Sequence, residues 1–533
     1  ATVNIFFVLT FVAVAVSMLL VLRALGVSRM VAFVVALLYT FVPYHFARGE
    51  PHLFLSTYWV VPLASYLVLR VVSASPPFTT EADNDAGWRV QLANRSGILW
   101  LLACIPLASS GAYYAAFTLM FLIVLTAVDF IARRRRRVVA SGAIAVAAIA
   151  AVGLFNVLPT LVYWGVHGTN SGVVRRSAGE TEYEGLKLSQ LVIPAEKHRI
   201  KALSDLQAQS MKKTPTRSEP GQQLGVIGAI GFLALLVILA VSIRRPRSRG
   251  GNDHEPQPSD RAGPVPPPSD ALLTMGVMTV TAVVVGVISG FSLIIFGLGV
   301  RDLRSWNRIS IFIAFFALTV VAYGLDWVRR RMGDKRGAAP LFAAALVVVL
   351  AVGILDQTTP AAIPDYRATQ ARWASDAHFV SQLEQKLPKG AQVFELPYEF
   401  FPEMPQVAEL GPYDLVRLYL HSDDLNWSFG GMSGREADWQ ASTARLFADR
   451  MLPRLAAVGY DGIVYDVGAQ TTEDNPTPDD ITATIHQRPV ISRDGEWAFW
   501  DLRPLRRELR AQLGADGVRR LRAEALADRS RKP

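Results

Sequence analysis

Apolar runs recur along this chain at a length and spacing that predicts membrane-spanning helices. They cover roughly 3–22, 29–44, 54–73, 97–110, 112–132, 138–157, 223–243, 271–290, 308–328 and 339–356. Most approach the ~20 residues a helix needs to cross a bilayer. The run at 97–110 is short and leads into Ser109-Ser110-Gly111, so a re-entrant or broken helix is the alternative there. The polar breaks between runs also carry a pattern. Arg23 and Arg29, then Arg70, Arg89 and Arg95, then Arg133 to Arg137, then Arg244, Arg245, Arg247 and Arg249, then Arg329 to Arg331 with Lys335 and Arg336 fall at every second connection. Basic loops face the cytoplasm, which places the alternate loops, 44–54, 158–222 and 291–308, and everything beyond about 357 on the outer side.

After the last run the pattern changes to that of a soluble α/β domain, giving two regions, 1–357 and 358–533. A helical stretch at 373–387 leads to a strand at 391–397, and a second helix near 437–457 leads to a strand at 462–466. Val490 to Asp501 turns through Asp494-Gly495, a hairpin signal, and the tail from Leu505 reads as a basic surface helix. Strands preceded by helices predict a small sheet with helices on it. The fold class expected is therefore a polytopic α-helical membrane protein of about ten spans with a C-terminal extracytoplasmic α/β domain. The loop 244–270 is rich in Pro, Gly, Ser and charge and reads as a disordered cytoplasmic linker. The segment 74–96 reads similarly, with Trp88 resting on the membrane surface. The apolar residues of 158–222 (Tyr183, Leu186, Leu188, Leu191, Val192, Ile193) are spaced like one amphipathic helix lying on the membrane.

Composition agrees with this picture and removes alternatives. The chain is 51% hydrophobic with mean hydropathy +0.27, too apolar for a soluble protein of 533 residues. Its single cysteine, Cys104, forbids an intrachain disulfide. The net charge of +9 sits largely in topological clusters, so it is not a nucleic-acid signal. The chain begins at Ala1 beside a span, with neither a basic start nor a cleavage site, and the expectation is that one span and an outer loop precede it.

Candidate chemistry lies in the outer segments. The turn Tyr44-His45-Phe46-Ala47-Arg48-Gly49-Glu50-Pro51-His52 places a cation, a carboxylate, two imidazoles and a phenol at a membrane boundary, where ionisable groups are costly unless they serve water or a partner. The plainer reading is an interfacial turn with a local Arg48–Glu50 pair. Arg301, Arg304 and Arg308 stand in a short outer loop against the positive-inside bias, and an anionic ligand is the simple compensation. Arginines suit phosphate because a planar fork matches its oxygens. Glu50, His52, His198, Glu180 and Glu182 offer a base or metal ligand, while Arg175, Arg176 and Arg199 add charge. Tyr113 and Tyr114 form an aromatic pair near the outer end of two spans. In the soluble domain two segments stand out, Glu395-Leu-Pro-Tyr-Glu-Phe-Phe-Pro-Glu403 and the glycine-rich, aromatic 419–435 segment; the second, with His421, Trp427 and Arg435, suits carbohydrate or lipid-headgroup contact. No phosphate loop, dinucleotide fingerprint, zinc spacing or nucleophile elbow is present.

The segments Phe41–Leu55, Ser110–Tyr114, Arg304–Ser310, LPYEFFPE and YLHSDDLNWSFGGMSGR, with this architecture, resemble the bacterial GT-C glycosyltransferase superfamily, and in detail its YfhO-like membrane proteins and their actinobacterial relatives. The resemblance implies transfer of a sugar from a polyprenyl-phosphate donor to a cell-envelope glycan or lipid acceptor, on the outer face of the bacterial cytoplasmic membrane. It implies Glu50 and His52 in acid–base or positioning roles, and Arg48, Arg301, Arg304 and Arg308 on the donor phosphate. Sugar or acceptor contacts would come from Tyr44, Tyr113, Tyr114, His198, Arg199, His421, Trp427 and Arg435. Partners would be membrane lipid, lipid-linked sugar and envelope polysaccharide, with no nucleic acid. A divalent cation is a candidate cofactor, although the three outer loops contain no Asp-x-Asp or Asp-x-Glu. The alternative is a non-catalytic lipid-linked sugar translocase or envelope-assembly protein. A transporter, however, carries polar groups at mid-span, and these spans are nearly free of charge.

Overall fold

The computed structural model describes residues 2–81, 87–170, 172–173, 176–213, 219–244, 268–333, 337–402, 410–411, 413–435, 438–469 and 476–528. The expected linker lies almost wholly outside these, as do Arg175, Lys335, Arg336 and Glu403. The chain divides into two units. The first is 1–163 with 176–363, and the second is 164–175 with 364–533.

Nine helices of the described residues are long and apolar enough to cross a membrane: Thr2–Ala24, Arg29–Arg48, Glu50–Val71, Ala112–Arg133, Arg136–His167, Gly225–Ser242, Pro268–Gly286, Trp306–Met332 and Ala338–Gln357. A tenth apolar helix, Arg95–Ser109, has only 15 residues and holds Pro106 inside it. At ~1.5 Å per residue it is too short to cross unaided. Burial within the bundle follows helical periodicity. On Thr2–Ala24 the stripe Thr10, Val14, Met18, Val21 and Leu22 is buried, while Ile5, Val8, Leu9, Val12, Val16 and Leu20 face out, as a helix between protein and lipid requires. Ser310–Met332 is different: every residue from Ser305 to Val320 is buried, which marks it as the central helix. Gly225–Arg244 packs along it, and a Cβ at Gly231 would collide with the Ala317 carbonyl, so glycine there lets the two backbones close. Asp326, buried near the far end of the central helix, accepts the Ser28 amide at 3.0 Å and so caps the start of Arg29–Thr40.

Several expectations need correction. The 44–54 turn is not an open loop. Pro43 starts a short helix, Pro43–Arg48, which Gly49 ends by donating to the His45 carbonyl at 3.0 Å. A 3-10 turn, Glu50–His52, and a helical turn, Leu53–Ser56, follow. In 158–222 the preceding span, Arg136–His167, runs on to His167, and the single amphipathic helix is replaced by three short ones, Ala178–Tyr183, Leu188–Val192 and Lys201–Lys213. The chain turns between the first two so that Leu186, fully buried, pairs with Val287. The 74–96 segment contains a hairpin, β1 (Thr79–Glu81) with β2 (Trp88–Val90), antiparallel.

The second unit holds a five-stranded mixed sheet. Its strands are β3 (Gln392–Leu396), β4 (Asn426–Trp427), β5 (Gly462–Asp466), β6 (Val490–Ile491) and β7 (Trp497–Asp501), in the order β4-β3-β5-β7-β6. β3 runs parallel to β4 and β5, whereas β7 is antiparallel to β5 and β6. Alternation on the strands feeds two cores. Phe394, Leu396, Ile463, Tyr465 and Trp500 face one side with Met451, Leu452 and Leu455. Val393, Val464, Trp497 and Phe499 face the other with Phe379, Val380 and Leu383. The helix expected at 437–457 is two, Trp439–Ala444 and Ala448–Val458.

Candidate functional site

At the ends of the first unit's helices opposite the Arg23, Arg70 and Arg329 turns, three segments distant in sequence meet on one carboxylate. Glu219 accepts from Arg48 Nη1 at 2.6 Å, and from Arg308 Nε and Nη2 at 3.0 and 2.5 Å. Arg48 Nη2 also donates to the Pro220 carbonyl at 2.6 Å. Arg48 is 2% exposed and Arg308 9%. Each guanidinium lies over a phenol ring, Arg48 5.1 Å from the centre of Tyr44 and Arg308 4.5 Å from that of Tyr113. Burial alone would raise the Glu219 carboxyl, but the hydrogen bonds and charges of Arg308 and Arg48 outweigh it and hold the group at about 2. Two cations share one anion, and Arg48 Nε is buried with no partner among the described residues. The knot therefore keeps unspent positive charge.

The segment that brings Glu219 there depends on Gly221. Its φ is +91°, and a Cβ would sit 2.5 Å from Ala47 Cβ and 3.1 Å from Tyr44 Cα. Only glycine lets 219–223 lie against helix Pro43–Arg48. Beside it, Glu184 Oε2 accepts from the Glu219 amide and from Asn307 Nδ2, both at 3.3 Å. Burial and then the neighbouring Glu219 charge push the Glu184 carboxyl up. Two adjacent carboxylates are thus driven apart, one held ionised and one favoured to take a proton. Glu180 repeats the sharing of one anion by two cations, with Arg304 at 3.0 Å and Arg176 at 3.6 Å.

Next to the knot, helix Pro43–Arg48, Lys201–Lys213, the 220–223 segment and the end of Ala338–Gln357 border a cavity of about 210 Å3. Gln190, Gln207, Gln223, Gln357 and Thr359 line it, with Glu196, Phe46 and Met211. All four glutamines are buried. Gln222 Nε2 donates to Gln190 Oε1 at 2.8 Å and to the Glu219 carbonyl at 3.2 Å, tying the cavity wall to the knot. Gln357 Nε2 donates to the Leu224 carbonyl at 3.3 Å, while its Oε1 is buried and unpartnered among the described residues.

The structure brings Arg48, Arg308, Tyr44, Tyr113 and Tyr114 together. Tyr44 Oη lies 3.1 Å from Tyr114 Oη, and Tyr113 Oη accepts from the Ser305 amide at 3.3 Å. Glu50 and His52 sit on the exposed 3-10 turn, and Arg48 pairs with Glu219 rather than Glu50. Arg304 holds Glu180, and Arg301 is exposed, 5.8 Å from the Phe296 ring centre. His45 is a core residue, stacked on Phe11 at 3.7 Å and bonded to Thr10 and Tyr58 at 2.8 and 3.1 Å. His198 Nδ1 accepts the Ile200 amide at 3.0 Å, so Nε2 donates to Asp356 at 3.2 Å. Arg199 donates to the Leu355 and Thr358 carbonyls. His421, Trp427 and Arg435 belong to the second unit. His421 lies against Trp373, ring centres 3.9 Å apart, Trp427 is on β4, and the Arg435 amide donates to Met432. Glu219, Glu184 and the glutamines were missed by sequence reasoning. The Glu219-Pro220-Gly221 turn ahead of a span is a local signal that could have found Glu219; none marks Glu184 or the glutamines. Among the described residues no group of three or more His, Cys, Asp and Glu is placed to hold a metal ion.

The fold is that of a polytopic α-helical membrane protein with a C-terminal α/β unit. Residues 2–283, more than half of the chain, match the model of a family described as a domain of unknown function, DUF6311, and the chain belongs to that family. No curated protein matches it. Among solved structures, a cryo-EM structure of the arabinofuranosyltransferase AftD from mycobacteria is similar at 15% identity and TM-score 0.43, covering 94% of this chain and 34% of that one. A mutant AftD structure is similar at 13% identity and TM-score 0.41, covering 94% of this chain and 35% of that one. The chain spans about a third of the length of these structures, and no residue role is carried across from them.

Proposed function

We propose that this protein is a membrane glycosyltransferase of GT-C type, moving a sugar from a polyprenyl-phosphate donor to a cell-envelope acceptor on the outer face of the bacterial cytoplasmic membrane. The observation that carries the reading is the knot itself: two buried guanidiniums share one carboxylate, and Arg48 Nε has no partner among the described residues. It stands where helices end, which suits a ligand whose phosphate lies at the membrane boundary. Arg48 and Arg308 hold the donor phosphate, and Glu219 orients them. Glu184 accepts the proton of the acceptor hydroxyl while that oxygen bonds to the anomeric carbon. The bond from that carbon to the phosphate oxygen breaks, and its electron pair leaves with the polyprenyl phosphate. The buried amides of the adjacent cavity offer both donors and acceptors to uncharged hydroxyls, which suits the sugar.

The test uses the full-length protein in nanodiscs, with radiolabelled polyprenyl-phosphate sugars as donors and envelope glycan fragments as acceptors. Glu184→Gln and Arg308→Ala each lower transfer by about 100-fold or more, while Glu50→Gln stays near wild type. Transfer undiminished in folded Glu184→Gln and Arg308→Ala would overturn the assignment. Donor binding that depends on Arg308, without transfer to any acceptor, would instead support a lipid-linked sugar translocase or envelope-assembly protein.

A further inference from the structure

We infer that the second unit carries its own binding pocket for a neutral sugar ring, with Trp427 and Phe429 as the stacking surface and Glu395 as the polar anchor. This goes beyond the transferase reading and does not rest on it.

The pocket has a volume of about 340 Å3 and lies where β3 runs beside β4, lined by Glu395, Phe401, Tyr419, Asn426, Trp427 and Phe429 among others. That volume is within the ~300–1,000 Å3 usual for small-molecule sites. The topology favours a site here. From β3 the chain passes to β4 on one side, and from β4 it crosses to β5 on the other, and ligands of open parallel sheets bind beyond the strand ends where connections part in this way. Glu395 stands on β3, 1% exposed. Its Oε2 accepts the Phe429 amide at 2.7 Å, and its own amide donates to Ser428 Oγ at 2.8 Å. Its Oε1 is buried with no partner among the described residues, and so is Trp427 Nε1. A buried polar atom without a partner is costly. Two on the wall of one pocket are explained most simply by a ligand that satisfies both.

The wall specifies what that ligand is. Phe401 and Phe429 meet edge to face, ring centres 5.9 Å apart, and Trp427 and Tyr419 add two more rings. Among the described residues no lysine or arginine lines the pocket, so a phosphate or carboxylate ligand finds no counter-charge among them. Burial holds the Glu395 carboxyl up at about 8, and the Phe429 and Ser428 amides offset this only in part. At neutral pH the anchor is thus an uncharged acid that can both donate and accept. Aromatic faces beside uncharged donors and acceptors fit a ring with a C–H face and a rim of hydroxyls.

Full-length protein in nanodiscs would be titrated with the methyl glycosides of glucose, mannose, galactose and arabinose and read by saturation-transfer NMR. At least one binds with a Kd on the order of 1 mM. Trp427→Ala and Glu395→Ala weaken it about tenfold or more, whereas Glu395→Gln, uncharged and of the same shape, stays within about threefold. Arg308→Ala and Glu219→Gln leave it unchanged, so failure here and failure of the transferase reading are told apart. If Trp427→Ala does not fold, Tyr419→Ala at the exposed rim replaces it: weaker binding supports the pocket, and unchanged binding overturns it. Absence of binding by every glycoside overturns the inference, as does a signal lost in Gln207→Leu but kept in Trp427→Ala, which would place the ligand in the bundle's cavity.

Discussion

Arg308 grips both carboxylate oxygens of Glu219, Nε to Oε2 at 3.0 Å and Nη2 to Oε1 at 2.5 Å, across 89 residues of chain. The pair is buried enough that removing the anion leaves Arg308 and Arg48 as uncompensated buried cations, a loss of about 3–5 kcal/mol. Glu219→Ala therefore lowers the melting temperature in nanodiscs markedly. Arg308→Met in that background recovers part of the loss, with a non-additivity of about 1–3 kcal/mol. Additive effects would show that the two residues do not interact.

The same carboxyl sets an acid limit. Its folded value, about 2, lies below its ordinary value of 4.5. The unfolded chain then binds more protons between those values, so stability is fully present above about 4.5 and is lost as pH falls through about 2. Thermal melting of wild type and Glu219→Gln across this range should converge at the acid end. A constant difference would mean that Glu219 is not the group titrating.

Gly221 supplies a third prediction. A methyl there meets Ala47 Cβ at 2.5 Å in a backbone of φ +91°, so Gly221→Ala must lift the 219–223 segment off helix Pro43–Arg48. The cost is about 1–3 kcal/mol. Transfer activity falls by a larger factor than in an Ala47→Gly control, which removes a methyl from the opposing side. Equal activity in the two variants would show that the close approach does not position Glu219.

The spans were legible because each is a contiguous apolar run, and four of the five sheet strands because 391–397, 462–466 and the Asp494-Gly495 turn carry local signals, whereas β4 lies inside the glycine-rich 419–435 segment and carries none. The site was legible only in half. Arg48, Arg308, Tyr44, Tyr113 and Tyr114 stood out as polar or aromatic groups beside apolar runs. Glu219 did not, because its partners are 171 and 89 residues away, and its own neighbours, Ser218 and Pro220, look like an ordinary turn. Glu50 drew attention by adjacency to Arg48, but the helix Pro43–Arg48 points that arginine toward Pro220 and leaves Glu50 exposed. The 158–222 segment misled for a related reason. Its apolar spacing suits one helix, yet Leu186 is spent on a β-bridge with Val287, a contact no local pattern encodes.

Asp356 holds the segment that carries His198 against the start of a span. Its Oδ1 accepts from His198 Nε2 at 3.2 Å, and its Oδ2 accepts the Val226 amide at 2.7 Å at the start of a span. Asp356→Ala loses a helix cap of about 1 kcal/mol and also frees His198. Hydrogen exchange should rise at Ile200, whose amide is bonded to His198, as well as at Val226. Exchange changed at Val226 alone would separate the cap from the loop.

Glu395 sets an alkaline limit of opposite sign. Burial pushes its carboxyl from 4.5 up to about 8. Glu399 rises to about 7 through burial and then Asp414 and Asp466, and Asp466 rises to about 6 through burial and then Glu496. The folded unit thus binds more protons than the unfolded chain between the ordinary and the raised values. Its stability is fully present below about 3.8 and falls as pH rises through about 8. Glu395→Gln keeps the buried hydrogen-bond partner without the charge, so it removes the uppermost part of that slope and leaves the parts due to Glu399 and Asp466. Pulse proteolysis in urea at about pH 6 and about pH 9 should show wild type losing more stability than the variant over that interval. Equal losses would mean that Glu395 is already ionised in the folded protein, with Oε1 satisfied by a group of opposite charge.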